Sequence, residues 1–133
     1  MGLNKILLDT NAYSNLLSGD EKVLNELSLA ATVHMSVIVI GELLYGFRNG
    51  SKFKWNKDIL DKFLSKSTVK VLDIQSETAS IYSNIYLSLK KKGNQIPIND
   101  VWIASQAIET GSVLITFDKH FKKVPGLRIW DNQ

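Results

Sequence analysis

Apolar positions along this chain fall into short compact runs and longer stripes at helical spacing, and the two kinds alternate. Asn4–Asp9 (NKILLD) is a brief apolar run closed by the polar pair Thr10-Asn11, and it reads as a buried strand. Asp20 is placed to cap a helix that carries Val23, Leu24 and Leu27 on one face. Val33–Ile40 (VHMSVIVI) is dense in β-branched side chains and reads as a second strand, followed by a short helical stretch over Gly41–Gly46. Ile59, Leu60, Phe63 and Leu64 recur at helical spacing within Lys57–Ser65, and Val69–Leu72 reads as a third short strand.

Ser76 is placed to cap a long helix with Ile81, Ile85 and Leu89 on its apolar stripe, ending near Gly93. Pro97 opens another helix, with Ile103, Ala104 and Ala107 on one face and Gly111 as its stop. Val113–Phe117 reads as a fourth strand, Phe121 falls in a short helical turn, and Leu127–Trp130 reads as an edge strand. Strands alternating with helices predict an α/β fold of three layers, helices covering both faces of a mostly parallel central sheet of about five strands. With no repeat and no composition break, residues 1–133 read as a single domain.

Composition narrows the class. A hydrophobic share of 44% supplies one well-filled core, and a charged share of 22% argues against disorder. The absence of cysteine excludes a disulfide scaffold, a thiolate metal site and a cysteine nucleophile. Apolar runs such as Val37–Ile40 fall far short of a membrane span, and the first ten residues carry an acid too early for a signal peptide. The expectation is a soluble cytoplasmic protein with no membrane partner. The net charge is only +3, but lysines cluster at 52–70, at 90–92 and at 119–123. The plain reading of each cluster is a solvated helix face that keeps the protein soluble, and together the clusters are compatible with a polyanionic partner.

The acidic residues carry the chemistry. In an open parallel sheet, ligands bind beyond the carboxyl ends of the strands. Asp9 ends the first strand, Asp118 follows the fourth, and Glu42 falls in the first turn of the helix after the second. Asp100 opens a helix that runs back down the sheet. The helix from Asp100 to Gly111 drops roughly 18 Å, and the strand that follows climbs back about 20 Å. Asp100 is therefore expected at the height of Asp118. Four carboxylates on one rim repel one another and would protonate unless a cation joins them. Oxygen donors without cysteine suit Mg²⁺ or Mn²⁺ better than Zn²⁺. Such an ion activates water toward a phosphodiester and shields the phosphate.

Each acid also has a plainer explanation. Asp9 and Asp118 could cap the turns after them, Glu42 could be a surface helix residue, and Asp100 could answer the helix dipole. Glu109 is expected on the far side of its helix, Asp73 in a loop, and Asp131 in solvent. His120, near the acids, is weighed as a general base against a partly exposed turn residue. Trp102 is expected in packing or a subunit contact rather than stacked on a base.

Four segments, Leu7-Leu8-Asp9-Thr10-Asn11, Gly41-Glu42-Leu43-Leu44-Tyr45-Gly46, Asn99-Asp100-Val101-Trp102-Ile103-Ala104 and Thr116-Phe117-Asp118-Lys119-His120-Phe121, resemble the four motifs of PIN-domain nucleases, most closely the VapC-type toxins of prokaryotic toxin–antitoxin pairs. The resemblance implies a PIN-like fold and an Mg²⁺- or Mn²⁺-dependent endoribonuclease. Asp9, Glu42, Asp100 and Asp118 match the family's acidic quartet as catalytic and metal-binding residues, with Asn11 and Thr116 supporting them by hydrogen bonds. It further implies RNA as substrate, a VapB-like antitoxin as partner and a homodimer. Two other readings are kept. One is a PIN module that binds nucleic acid or antitoxin with weak turnover. The other is an aspartyl-phosphate hydrolase built on Asp9, which would want an acid where Asn11 stands.

Overall fold

The computed structural model describes residues 4–131. In chain order the elements are β1 (Lys5–Leu8), α1 (Thr10–Leu17), α2 (Glu21–Leu29), β2 (Thr32–Ser36), α3 (Val37–Arg48), α4 (Phe53–Leu64), β3 (Val69–Leu72), α5 (Ser76–Lys91), α6 (Ile98–Thr110) and β4 (Val113–Ile115), followed by a 3₁₀ turn over Lys119–Lys123. The sheet order is β3-β2-β1-β4, and every pairing is parallel.

Leu7 and Leu8 point to opposite faces of β1, and both have no exposed surface. Leu114 and Ile115 on β4 repeat the pattern. Both faces of the sheet are therefore covered, which gives the expected three-layer α/β architecture. The buried core is continuous from Ile6 to Trp130. Among the described residues, no helix is long and apolar enough to cross a membrane.

The structure departs from the sequence reading in several places. The run Val37–Ile40 is helix, not strand: β2 stops at Ser36, whose hydroxyl accepts the Ile38 N–H at 3.0 Å and caps α3. Val39 and Leu43 are buried against the rest of the fold, so packing overrides the strand propensity of a β-branched run. Glu42 consequently sits in the second turn of α3 rather than the first.

An additional helix, α1, follows β1 directly. Asp9 caps it, and Ala12, Tyr13 and Leu16 form its buried face. Helix α4 starts a turn before Lys57, at Phe53. Gln75, not Ser76, precedes the first turn of α5, and its N–H donates to Thr78 Oγ1 at 3.0 Å. Among the described residues the sheet has four strands rather than about five. The segment expected as an edge strand over Leu127–Trp130 touches β4 through one parallel bridge, Leu114 to Ile129.

Candidate active site

The site begins at the carboxyl end of β1. Asp9 is 4% exposed, and its Oδ1 accepts the Ala12 N–H at 2.8 Å. The capping role weighed for Asp9 is thus real, and it orients the carboxylate. Thr116, just past β4, donates its hydroxyl to the Asp9 carboxylate and accepts the Asp118 N–H at 3.0 Å. The strands fix this contact, because Asp9 N–H bonds to Ile115 carbonyl at 3.2 Å and so brings the two chain segments side by side.

Helices α3 and α6 bring the other two acids. Glu42 Oε1 accepts the Thr10 hydroxyl at 2.5 Å, and its Oε2 accepts the Asn99 amide at 3.2 Å. Glu42 is thereby tied to both α1 and α6. Asp100 lies in the first turn of α6, and its Oδ2 is 2.7 Å from His120 Nε2. One donor atom each from Asp100, Asp118 and His120 can be chosen so that all three lie within 4.8 Å of one another. The expectation that Asp100 and Asp118 share a height is met.

All four acids line a single cavity of about 620 Å³, together with Thr10, Asn11, Asn99 and His120. No lysine or arginine is among the residues lining it. Burial pushes the Asp9 carboxyl up to about 6, and the negative charges of Asp118 and Asp100 add to that, while the Thr116 and Ala12 hydrogen bonds oppose it. Asp100 is also raised, first by burial and further by Glu42 and Asp118, against the pull of His120. Both shifts have the same main cause, burial of a carboxylate away from water, and the neighbouring acids add to it.

The donor set fits a divalent cation. Carboxylate oxygens converge on one open cavity, and cis ligands of an octahedral ion at Mg²⁺ distances lie about 3 Å apart, trans ligands about 4.2 Å. The 4.8 Å cluster of Asp100, Asp118 and His120 needs only small side-chain movement to reach that geometry. Asp9 and Glu42 face the same space.

Glu109, Asp73 and Asp131 lie away from this cavity. Glu109 accepts the Thr78 hydroxyl at 2.6 Å and joins α6 to α5. The backbone carbonyl of Asp73 accepts from Gln106 in the loop after β3, and Asp131 is exposed. Trp102 stacks on Tyr82 with ring centroids 3.9 Å apart, so it packs within the fold. Asn11 lines the cavity but is exposed, and its neighbour Thr10 makes the bond to Glu42. Thr10 and Asn99 were not singled out from the sequence. The signal was present, since each is the polar residue beside a rim acid.

Residues 6–127 match the PIN domain family. Ribonuclease VapC2 of Rickettsia felis is 34% identical over 132 residues, covering 94% of this chain and 97% of the relative. The tRNA(fMet)-specific endonuclease VapC of Salmonella typhimurium is 28% identical over 130 residues, covering 96% of this chain and 97% of that protein. In the crystal structure of VapBC2 from Rickettsia felis bound to a DNA fragment from their promoter, one chain superposes with a TM-score of 0.85 at 33% identity, covering 96% of this chain and 99% of that one.

Proposed function

This chain belongs to the PIN-domain family, among the VapC ribonucleases, and from that membership we propose that it is a metal-dependent endoribonuclease, the toxin of a VapBC-like toxin–antitoxin pair. The single observation that carries the metal-dependent part is the cavity on which Asp9, Glu42, Asp100 and Asp118 converge without a lysine or arginine. A divalent cation, Mg²⁺ or Mn²⁺, bound there supplies charge neutralisation for the phosphate and a nucleophilic water at neutral pH.

The side chains have distinct tasks. Asp9, Asp100 and Asp118 hold the ion. Glu42, fixed by Thr10 and Asn99, completes the rim from the opposite helix. Thr116 keeps Asp9 pointed into the cavity and the Asp118 backbone in place. Lys119, Lys122 and Lys123, exposed on the 3₁₀ turn beside His120, attract the phosphates of the RNA strand. On α4, by contrast, Lys54 and Lys57 face Asp58 and Asp61 one turn on, so that cluster is partly self-neutralised.

The protein acts in the cytoplasm on RNA, as a homodimer, and a VapB-like antitoxin restrains it. Support for the antitoxin comes from the R. felis VapBC2 structure. Incubating purified protein with RNA and Mg²⁺ or Mn²⁺ tests the reading. Asp100→Asn and Glu42→Gln are expected to lower cleavage at least about a hundredfold with the fold retained, and chelation by EDTA to abolish it. Cleavage that survives chelation, or that persists in both variants, rejects the assignment. A module that binds without turnover would show no carboxylate-dependent uptake of metal by calorimetry.

A further inference from the structure

The quartet accounts for oxygen donors only, yet the cavity holds a fifth candidate. His120 Nε2 lies 2.7 Å from Asp100 Oδ2 and within the same 4.8 Å cluster as Asp118. The imidazole is 27% exposed, and its ring packs against Phe121 with centroids 4.8 Å apart. It is thus held at the cavity wall with a nitrogen turned inward. The geometry points to His120 as a nitrogen ligand of the same centre, giving a mixed carboxylate–imidazole site that selects Mn²⁺ and related first-row transition ions over Mg²⁺.

The argument rests on donor chemistry. Mg²⁺ favours oxygen and keeps its waters, so an imidazole in its first sphere adds little. First-row transition ions accept neutral imidazole readily. The 2.7 Å contact is close to the separation of two cis ligands on one ion, about 3 Å. His120 therefore needs little movement to exchange its hydrogen bond with Asp100 for a shared cation. The inference rests on the metal-dependent reading above and refines which ion the site prefers.

The chain has two histidines, which makes the test specific. His34 is buried on β2, with Nδ1 2.9 Å from Ser112 Oγ, and is not among the residues that line the cavity. Full-length protein loaded with Mn²⁺ is examined by pulsed electron paramagnetic resonance, with and without heavy-nitrogen labelling of histidine. The expected result is hyperfine coupling from a directly bound imidazole nitrogen that changes with the label and disappears in His120→Gln. Glutamine keeps an amide donor for Asp100 but offers no imidazole nitrogen. By calorimetry, His120→Gln is expected to weaken Mn²⁺ binding about tenfold or more, with Mg²⁺ binding nearly unchanged. Mn²⁺ bound with no imidazole coupling in the unsubstituted protein overturns the inference while the four-acid centre stands. Coupling retained in His120→Gln also overturns it. Mg²⁺ binding without Mn²⁺ binding overturns the inference alone, and failure to bind either ion removes the metal-dependent reading itself.

Discussion

Replacing Asp9 by asparagine is expected to make the metal-free protein more stable at neutral pH, although it removes a residue at the heart of the site. Asp9 is 4% exposed and its carboxyl is pushed from the ordinary 3.8 up to about 6. In the unfolded chain the group ionises near 3.8, while the folded protein still holds the proton there. Below about pH 3 both states are protonated and Asp9 costs nothing. Stability then falls as pH rises from about 4 to about 6, and the loss levels off above that. Raising the carboxyl from 3.8 to about 6 corresponds to roughly 3 kcal/mol at pH 7.5. Asparagine keeps an oxygen for the Ala12 N–H and the Thr116 hydroxyl but carries no charge to desolvate. For a domain of this size the gain is roughly 8–12 °C in Tm.

The assay is thermal or urea unfolding of both proteins at pH 4, 5, 6 and 7.5 with EDTA, then with Mg²⁺ at pH 7.5. The difference between the two proteins isolates Asp9 from other titrating groups. It is expected to be small at pH 4 and to grow to its full value by pH 7.5. Saturating Mg²⁺ should close the gap from the other side, since an ion that binds the folded state stabilises it by mass action. A difference that does not vary with pH, or an Asp9→Asn protein less stable than its parent at pH 7.5, refutes the account of Asp9 as a buried carboxylate whose desolvation is not compensated.

Thr116→Val removes both the donor to Asp9 and the acceptor of the Asp118 N–H, so urea unfolding should show a loss of about 1–3 kcal/mol. Carboxyl titration by nuclear magnetic resonance should show Asp9 moving further up. The Tyr13 hydroxyl is buried without a hydrogen-bond partner, and Tyr13→Phe is expected to be neutral or to stabilise by up to about 1 kcal/mol in the same unfolding assay. Gly111 ends α6 in the left-handed region at φ 68°, so Gly111→Ala should destabilise by about 1 kcal/mol, readable as a lower Tm with cleavage per folded molecule preserved.

Two kinds of information separate what the sequence discloses from what it hides. The ends of strands are local events. An apolar run followed by an acid, as at Leu8-Asp9, places that acid on the carboxyl rim of a parallel sheet. The matched lengths of α6 and β4 then carry Asp100 to the same edge. The change from strand to helix at Ser36–Val37 is also local, but there the two signals disagree. The run Val37–Ile40 has strand propensity, whereas Ser36 offers a cap, and the burial of Val39 and Leu43 decides for the helix. Helix α1 was legible in Ala12, Tyr13 and Leu16, whose spacing makes one face, yet the polar start Thr10-Asn11 masked it as a turn.

The partners of the acids belong to the second kind. Thr10 meets Glu42 across 32 residues, Asn99 meets Glu42 across 57, and His120 meets Asp100 across 20. Each contact depends on the relative rotation of two helices, or of a helix and a turn, and on rotamers chosen after packing is complete. A hydrophobic pattern fixes which face of a helix is buried, but it leaves the polar groups at the rim several ways to pair. This explains why Glu42 could be placed at the correct edge while its turn and its two donors were not anticipated. It also explains why His120 was readable as a residue near acids but not as one of the groups around their common centre. The acids reach one edge because strand ends and helix lengths are local properties; the side chains that tie them together reach it only once the helices have packed.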